Sequence, residues 1–222
     1  MRKLTPEERQ QIADAVKQAE QKTSGEIATA VIPQSNDYAI FELTFAVLLS
    51  LIYGTLLVVF TNQIENWLAS SFWGYHSGYL TGFYVFSVFL MILVLYFVGN
   101  IAAIDRLIVP RRVRESWVKR RAMQHFLESG VGHTKDGTGI LIFISQLEER
   151  VELLADKGIA GKVDQKIWQG VVDNIIAGIK AGNMVNNLCQ SIEVCGDLLT
   201  SGFPRQDDDV NELADGIIEL EK

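Results

Sequence analysis

Residues able to do chemistry are few and widely spaced in this 222-residue chain. Of the histidines His76, His125 and His133, the last two stand eight apart, one in a helical pattern and one in a glycine-rich loop. Neither fits the H-x3-H spacing that sets two imidazoles on one helix face. Cys189 and Cys195 are six apart in a helical pattern. That is not a C-x2-C metal spacing, and in a reducing compartment both read as small buried hydrophobes. The chain has no G-x-S-x-G elbow and no Cys–His arrangement at suggestive spacing, so no nucleophile with its base is identified. Ser24, Thr134 and Thr138 are accounted for as cap and turn residues.

One acidic pair is brought together by local folding. Gly130–Gly139 (GVGHTKDGTG) is a glycine-rich loop without the Gly-Lys-Ser/Thr of a phosphate-binding P-loop. Ile140–Ser145 is a strongly apolar strand, Gln146–Glu149 a turn, and Arg150–Asp156 a second strand with Val151, Leu153 and Ala155 on one face. Two strands joined by so short a turn form an antiparallel hairpin. Folding it about Leu147–Glu148 sets Asp156 beside Gly139, close to Asp136. Turn chemistry alone also explains an Asp preceding Gly137.

The elements that position this hairpin are legible on either side. Thr5 is an N-cap, Pro6 the first helical residue and Glu8 the third position of a capping box, predicting a helix over 5–23 with Ile12, Val16 and Ala19 on its apolar face. Glu26–Pro33 (EIATAVIP) is a near-continuous apolar run, the pattern of a central strand covered on both faces. Val163–Ala181 and Met184–Ser201 read as amphipathic helices closed by Gly182 and Gly202. The order predicts an α/β fold, a three-layer sandwich with a small mixed sheet of three or four strands.

That fold is interrupted. Leu43–Phe60 and Tyr79–Ile104 are two uncharged apolar runs, and residues 41–104 hold no Lys or Arg and only Glu42 and Glu65. About 20 apolar residues span a ~30 Å hydrocarbon core, so both runs are long enough to cross. The expected division is therefore 1–40 as the first part of the soluble domain, 41–104 as a transmembrane hairpin, 105–204 as a basic helix and the rest of the domain, and 205–222 as a tail. The start, MRKLTPEERQQ, lacks the apolar core of a signal peptide. Trp67, Phe72, Trp73, Tyr75 and Tyr79 suit an interfacial belt, and a short interfacial helix is expected around 64–72. Gly78, Gly82 and Ser87 are candidates for close helix packing.

The net charge of −7 conceals a polarity. Arg106, Arg111, Arg112, Arg114, Lys119, Arg120 and Arg121 face only Asp105 and Glu115 over residues 105–121. The tail holds seven acids against Arg205 and Lys222. The loop between the spans has no basic residue, so the positive-inside rule places it outside and both termini in the cytoplasm. Arg111, Arg112, Arg114, Lys119, Arg120 and Arg121 form a candidate surface for anionic lipid or an acidic partner. No nucleic-acid motif accompanies them. The tail, with a narrow stripe of Val210, Leu213, Ile217 and Leu220, reads as a disordered solubilising segment or as a docking helix.

LTPEERQQIADAVKQAEQKTSGEIATAVIP and, after the hairpin, KDGTGILIFISQLEERVELLADKGI together resemble the TPM domain family, and the resemblance resumes over Arg121–Phe203. A membrane hairpin in place of the crossover helix is similar to a bacterial subgroup of predicted inner-membrane proteins. Two functional readings follow, the first from the spans and the second from the resemblance. One is a non-catalytic accessory or scaffold subunit of an inner-membrane assembly, with the bilayer and a membrane protein or a second copy as partners. Two spans are too few for a transport pathway, and neither contains a charge. The other is a divalent-cation-binding hydrolase of phosphatase type. In that case Asp136 and Asp156 are the implied ligands of Mg²⁺ or Ca²⁺.

Overall fold

A strand with apolar residues on both faces needs cover on both, and β1 (Glu26–Ile32) has it: all seven residues are buried. The computed structural model describes residues 3–99, 101–206 and 210–221. Before β1 comes α1 (Pro6–Glu20), capped as expected. The Thr5 hydroxyl accepts the Glu8 N–H at 3.2 Å and the Glu8 carboxylate accepts the Thr5 N–H at 2.9 Å. After β1 follow α2 (Ala39–Val59), α3 (Thr61–Ser71), α4 (Ser77–Gly99), α5 (Ala102–Ile108) and α6 (Arg111–Glu128). The chain then forms β2 (Gly139–Ser145), β3 (Arg150–Ala155), α7 (Lys157–Ala160), α8 (Gln165–Ala181), α9 (Met184–Gly202) and β4 (Ile218–Glu219).

Two compact units result, one from Met1–Asn36 with Arg112–Lys222 and the other from Asp37–Arg111. Residues 37–40 and 105–111 thus group with the helical hairpin, and the tail groups with the domain.

In the first unit the sheet order is β3-β2-β1-β4. β1 runs parallel to β2 over the full strand, from Glu26 opposite Gly139 to Ile32 opposite Ser145, while β2 and β3 are antiparallel. Alternation sorts the side chains into two cores. Ile27, Val31, Ile140, Ile142 and Ile144 meet Ile12 and Val16 of α1, Val171 and Ile175 of α8, and Leu188, Ile192 and Leu199 of α9. Ala28, Ala30, Ile32, Leu141 and Phe143 meet Val118, Ala122 and Phe126 of α6. The fold is therefore the expected three-layer α/β sandwich with a mixed four-stranded sheet. Full burial of a side chain such as Phe143 contributes on the order of 1.5–3 kcal/mol.

The tail departs from both sequence expectations. It is neither a disordered solubiliser nor a docking helix over its described part. Ile218–Glu219 forms the fourth strand beside β1, and Leu213 and Leu220 pack on the α6 face. A two-residue strand leaves no periodic signal, and its pairing partner is remote in sequence. Asp207, Asp208 and Asp209, part of the acidic run, lie outside the described residues.

In the second unit α2 and α4 pack against each other. Both are long and apolar enough to cross a membrane, with only 22% and 6% of their most apolar windows buried. The small residues at the contact are on α2. Ala46 and Ser50 are buried, and a Cβ on Gly54 would meet Val88 at 3.6 Å. This spacing of four residues puts all three on one helix face. Gly82 of α4, one of the small residues expected to pack with the other span or with a partner, faces open space within the hairpin. The α3 helix and the ring pairs Trp67–Phe83 and Phe72–Tyr79 gather the aromatics at one end of the hairpin.

Gly139 is a backbone requirement. A Cβ there would lie 2.1 Å from the Val131 carbonyl oxygen. Gly139→Ala must push the 130–138 loop off the strand and is expected to cost about 2–3 kcal/mol. That corresponds to a fall of roughly 5–10 °C in the domain's melting midpoint, read by circular dichroism of the full chain in detergent. An unchanged midpoint would show that the loop has slack there.

Candidate functional site

The hairpin and the loop before it build one end of the sheet. The Asp156 N–H donates to the Gly139 carbonyl at 2.9 Å, and the Gly158 N–H donates to the Gly137 carbonyl at 3.0 Å. The loop therefore lies against the exit of β3. Gly137 sits at φ +67°, and a Cβ on Gly158 would meet the Gly137 carbonyl oxygen at 2.6 Å, so both positions require glycine. Asp136 is exposed on a turn closed by the Gly137 N–H on the Thr134 carbonyl at 3.0 Å and the Thr138 N–H on Thr134 Oγ1 at 2.9 Å. Asp156 is buried, and its carboxylate accepts the Lys157 N–H at 2.6 Å as the N-cap of α7.

The folding thus brings the Asp136 and Asp156 segments to one sheet end but gives the two carboxylates different environments. Among the described residues no group of three or more His, Cys, Asp and Glu side chains is placed to hold a metal ion. β1 leaves the sheet beside Ser145, at the end opposite Asp136, so the segment leading to Asp37 departs from the other side. His125 and His133 do not converge: His125 lies on the inner face of α6, and His133 is exposed before the turn.

The basic residues are all carried by α6. Val118, Ala122, His125 and Phe126 form its buried face, so the remaining positions point outward or sideways. Arg111, Arg112, Lys119 and Arg120 are exposed, while Arg114 and Arg121 are half-buried. The Arg120 guanidinium stacks over Trp117, 4.7 Å from its centroid. Glu115 pairs with Arg150 of β3. Burial pushes the Glu152 carboxyl up, with Lys119 and Arg150 opposing. Part of the cluster therefore ties α6 to the sheet, and Arg112 and Arg120 lie on its outer side.

Two polar devices carry no sequence motif. At the exit of β1, Ser35 Oγ donates to Ser145 Oγ at 2.8 Å, Ser145 Oγ donates to the Glu148 carboxylate, and the Ser35 N–H donates to Glu148 at 3.0 Å. All three residues are buried. At the entry of β1 the buried Glu26 carboxylate accepts the N–H groups of Glu212 and Leu213. The only sequence signal was polarity at positions bounding otherwise apolar strands.

The family model for the TPM domain matches residues 102–192. The chain carries a TPM domain. The matched stretch holds α6, β2, β3 and α8, while α1 and β1 lie before it and complete the same sheet and core. A solved structure is similar as well: the NMR structure of the BA42 protein from the psychrophilic bacterium Bizionia argentinensis is 21% identical with a TM-score of 0.58. The match covers 99% of this chain and 97% of that one. At this identity the likeness concerns the fold. No curated protein matches the chain.

Within the TPM domain His125 is a buried base on the inner face of α6. Its ring packs 6.3 Å from that of Phe143, and burial lowers its pKa below the usual histidine range, with Arg121 adding to the shift and Glu128 opposing it. A histidine kept neutral in the fold is protonated first in the unfolded chain. Its contribution is therefore full above about pH 6.5 and is lost as pH falls below that toward the folded value. The melting midpoint followed by circular dichroism is expected to fall between pH 7.5 and 5.5, and to fall less in His125→Asn. Equal falls in the two proteins would assign the pH dependence to other groups.

Proposed function

We propose that this chain is a membrane-anchored TPM-domain protein acting as a non-catalytic scaffold or accessory subunit of an assembly in the bacterial inner membrane. The observation that carries the reading is the apolar surface of α2 and α4, which only a bilayer or another membrane protein would cover: Leu48, Leu51, Leu56, Val85, Phe86 and Phe89 are all exposed. The insertion lies between β1 and α6, so the anchor and the domain are held by two chain crossings rather than one terminal tether.

The orientation follows from charge. Arg111, Arg112, Arg114, Lys119, Arg120 and Arg121 follow the second span, and the α2–α4 connection has no basic residue. The positive-inside rule assigns both termini and the TPM domain to the cytoplasm. Arg112 and Arg120 are then the residues offered to anionic headgroups or to an acidic partner, each worth about 1 kcal/mol near a charged membrane surface.

Two measurements test this. In a Cys189→Ala background, a cysteine at Ser71 is expected to react with a membrane-impermeant thiol reagent in intact spheroplasts, and one at Ser201 only after lysis. The reverse pattern would invert the topology. Native mass spectrometry of the chain extracted gently from its own membrane is expected to show a stoichiometric protein partner or a homo-oligomer. A chain found alone would rule out the scaffold role.

A further inference from the structure

The edge of β1 opposite β2 is covered by residues 210–221, and this cover is held differently from the rest of the sheet. β1 and β2 pair over seven residues, whereas β1 and β4 pair over two, Ala30 with Ile218 and Val31 with Glu219. The Leu220 N–H adds one further bond, 2.8 Å to the Val31 carbonyl. Ile217 packs toward α1, α8 and α9, and Leu213 and Leu220 toward α6, but all three are only partly buried.

The remaining contacts are polar and read backbone or a single acid. The Glu26 carboxylate accepts the N–H groups of Glu212 at 3.2 Å and Leu213 at 3.3 Å. The Glu212 carboxylate in turn accepts the Lys135 N–H at 3.1 and 3.3 Å. Glu219 pairs with Arg9 at 2.6 Å on the surface. Any extended segment with an acid-Leu pair, an Ile four residues after that Leu, and a second acid-Leu pair ending three residues further on meets these requirements.

Short pairing, half-buried anchors and an exposed ion pair are the marks of an element that opens at lower free energy than its neighbours. Once bare, an apolar strand edge is a template for another strand. Upstream the tail is fixed independently, with the Ser24 N–H and the Thr23 hydroxyl on the Phe203 carbonyl and the Gln206 N–H on Ser24 Oγ. The exchange therefore concerns residues 210–221.

We propose that the β1 edge is a strand-docking groove closed in cis by residues 210–221, and that the segment entering it from outside is the same tail of a second copy. That segment is the one whose fit is visible, and reciprocal exchange keeps every contact.

The test uses the full chain in detergent with a site-specific protease sequence inserted between Gln206 and Asp207, so that folding precedes cutting. A fluorescent synthetic peptide of residues 210–221 is expected to bind the cut chain and not the uncut one, where the tethered tail outcompetes it. The peptide carrying Leu213→Asp and Leu220→Asp is expected to bind at least about tenfold more weakly. Equal binding to both forms, or binding to neither, overturns the groove. Two differently labelled uncut chains are then mixed. Energy transfer that disappears in the Leu213→Asp/Leu220→Asp chain supports tail exchange between copies. Absence of transfer, or transfer that survives those substitutions, overturns the second copy as occupant.

Discussion

Everything in the TPM domain depends on the parallel pairing of β1 with β2. β1 carries no polar side chain on either face apart from Glu26 at its start and Thr29 in its middle, so it is stable only between two helical layers and two neighbouring strands. Its partner arrives after the whole helical hairpin. Closing a flexible loop of about 100 residues costs on the order of 4 kcal/mol in chain entropy. Seven register pairs and two cores offset that cost, each strand contributing side chains to both. The insertion is tolerated because loop entropy grows only logarithmically with length, whereas losing β1 would strip the centre from the sheet.

The family match begins near the end of the helical hairpin, although the domain begins before it. Residues 102–192 bring β2, β3 and two helical layers. The surface they leave open is the edge of β2, shaped by Leu141 and Phe143 on one side and Ile140, Ile142 and Ile144 on the other. Ala28 and Ala30 fill the narrow side against α6, where a large residue on β1 would hold the helix away. The Ser35–Ser145–Glu148 cluster then locks the exit of β1 to the turn between β2 and β3.

Local physics was legible in the sequence and remote pairing was not. The Thr5–Glu8 capping box, the doubly buried strand and the fold-back of Asp156 onto Gly139 all follow from residues within a few positions of one another. The 3.6-residue periodicity of α8 and α9 and the two long apolar helices are equally local. The chemistry of the sheet end was only half legible. Spacing brings Asp136 and Asp156 to one place, but it does not reveal that Asp156 caps α7 while Asp136 faces solvent. The small residues of α2 at the α2–α4 contact, Ala46, Ser50 and Gly54, carried no signal of their own, because composition names small residues without saying which face they occupy. β4 left no strand signal, since its identity rests on pairing with Ala30 and Val31, far upstream.

Charge placement follows the same division of labour. Acids that bound the apolar strands are consumed by backbone donors: Glu26 by the tail, Glu148 by Ser35, Asp156 by Lys157. Each satisfies an N–H that a buried chain end would otherwise leave without a partner, a lapse that costs on the order of 1–3 kcal/mol. The bases instead gather on α6, where the buried face is narrow and long side chains lie along the surface. An acidic interior scaffold with a basic outer helix is therefore not a contradiction in a chain of net charge −7. The acids act at short range within the fold, while Arg112 and Arg120 are exposed on α6.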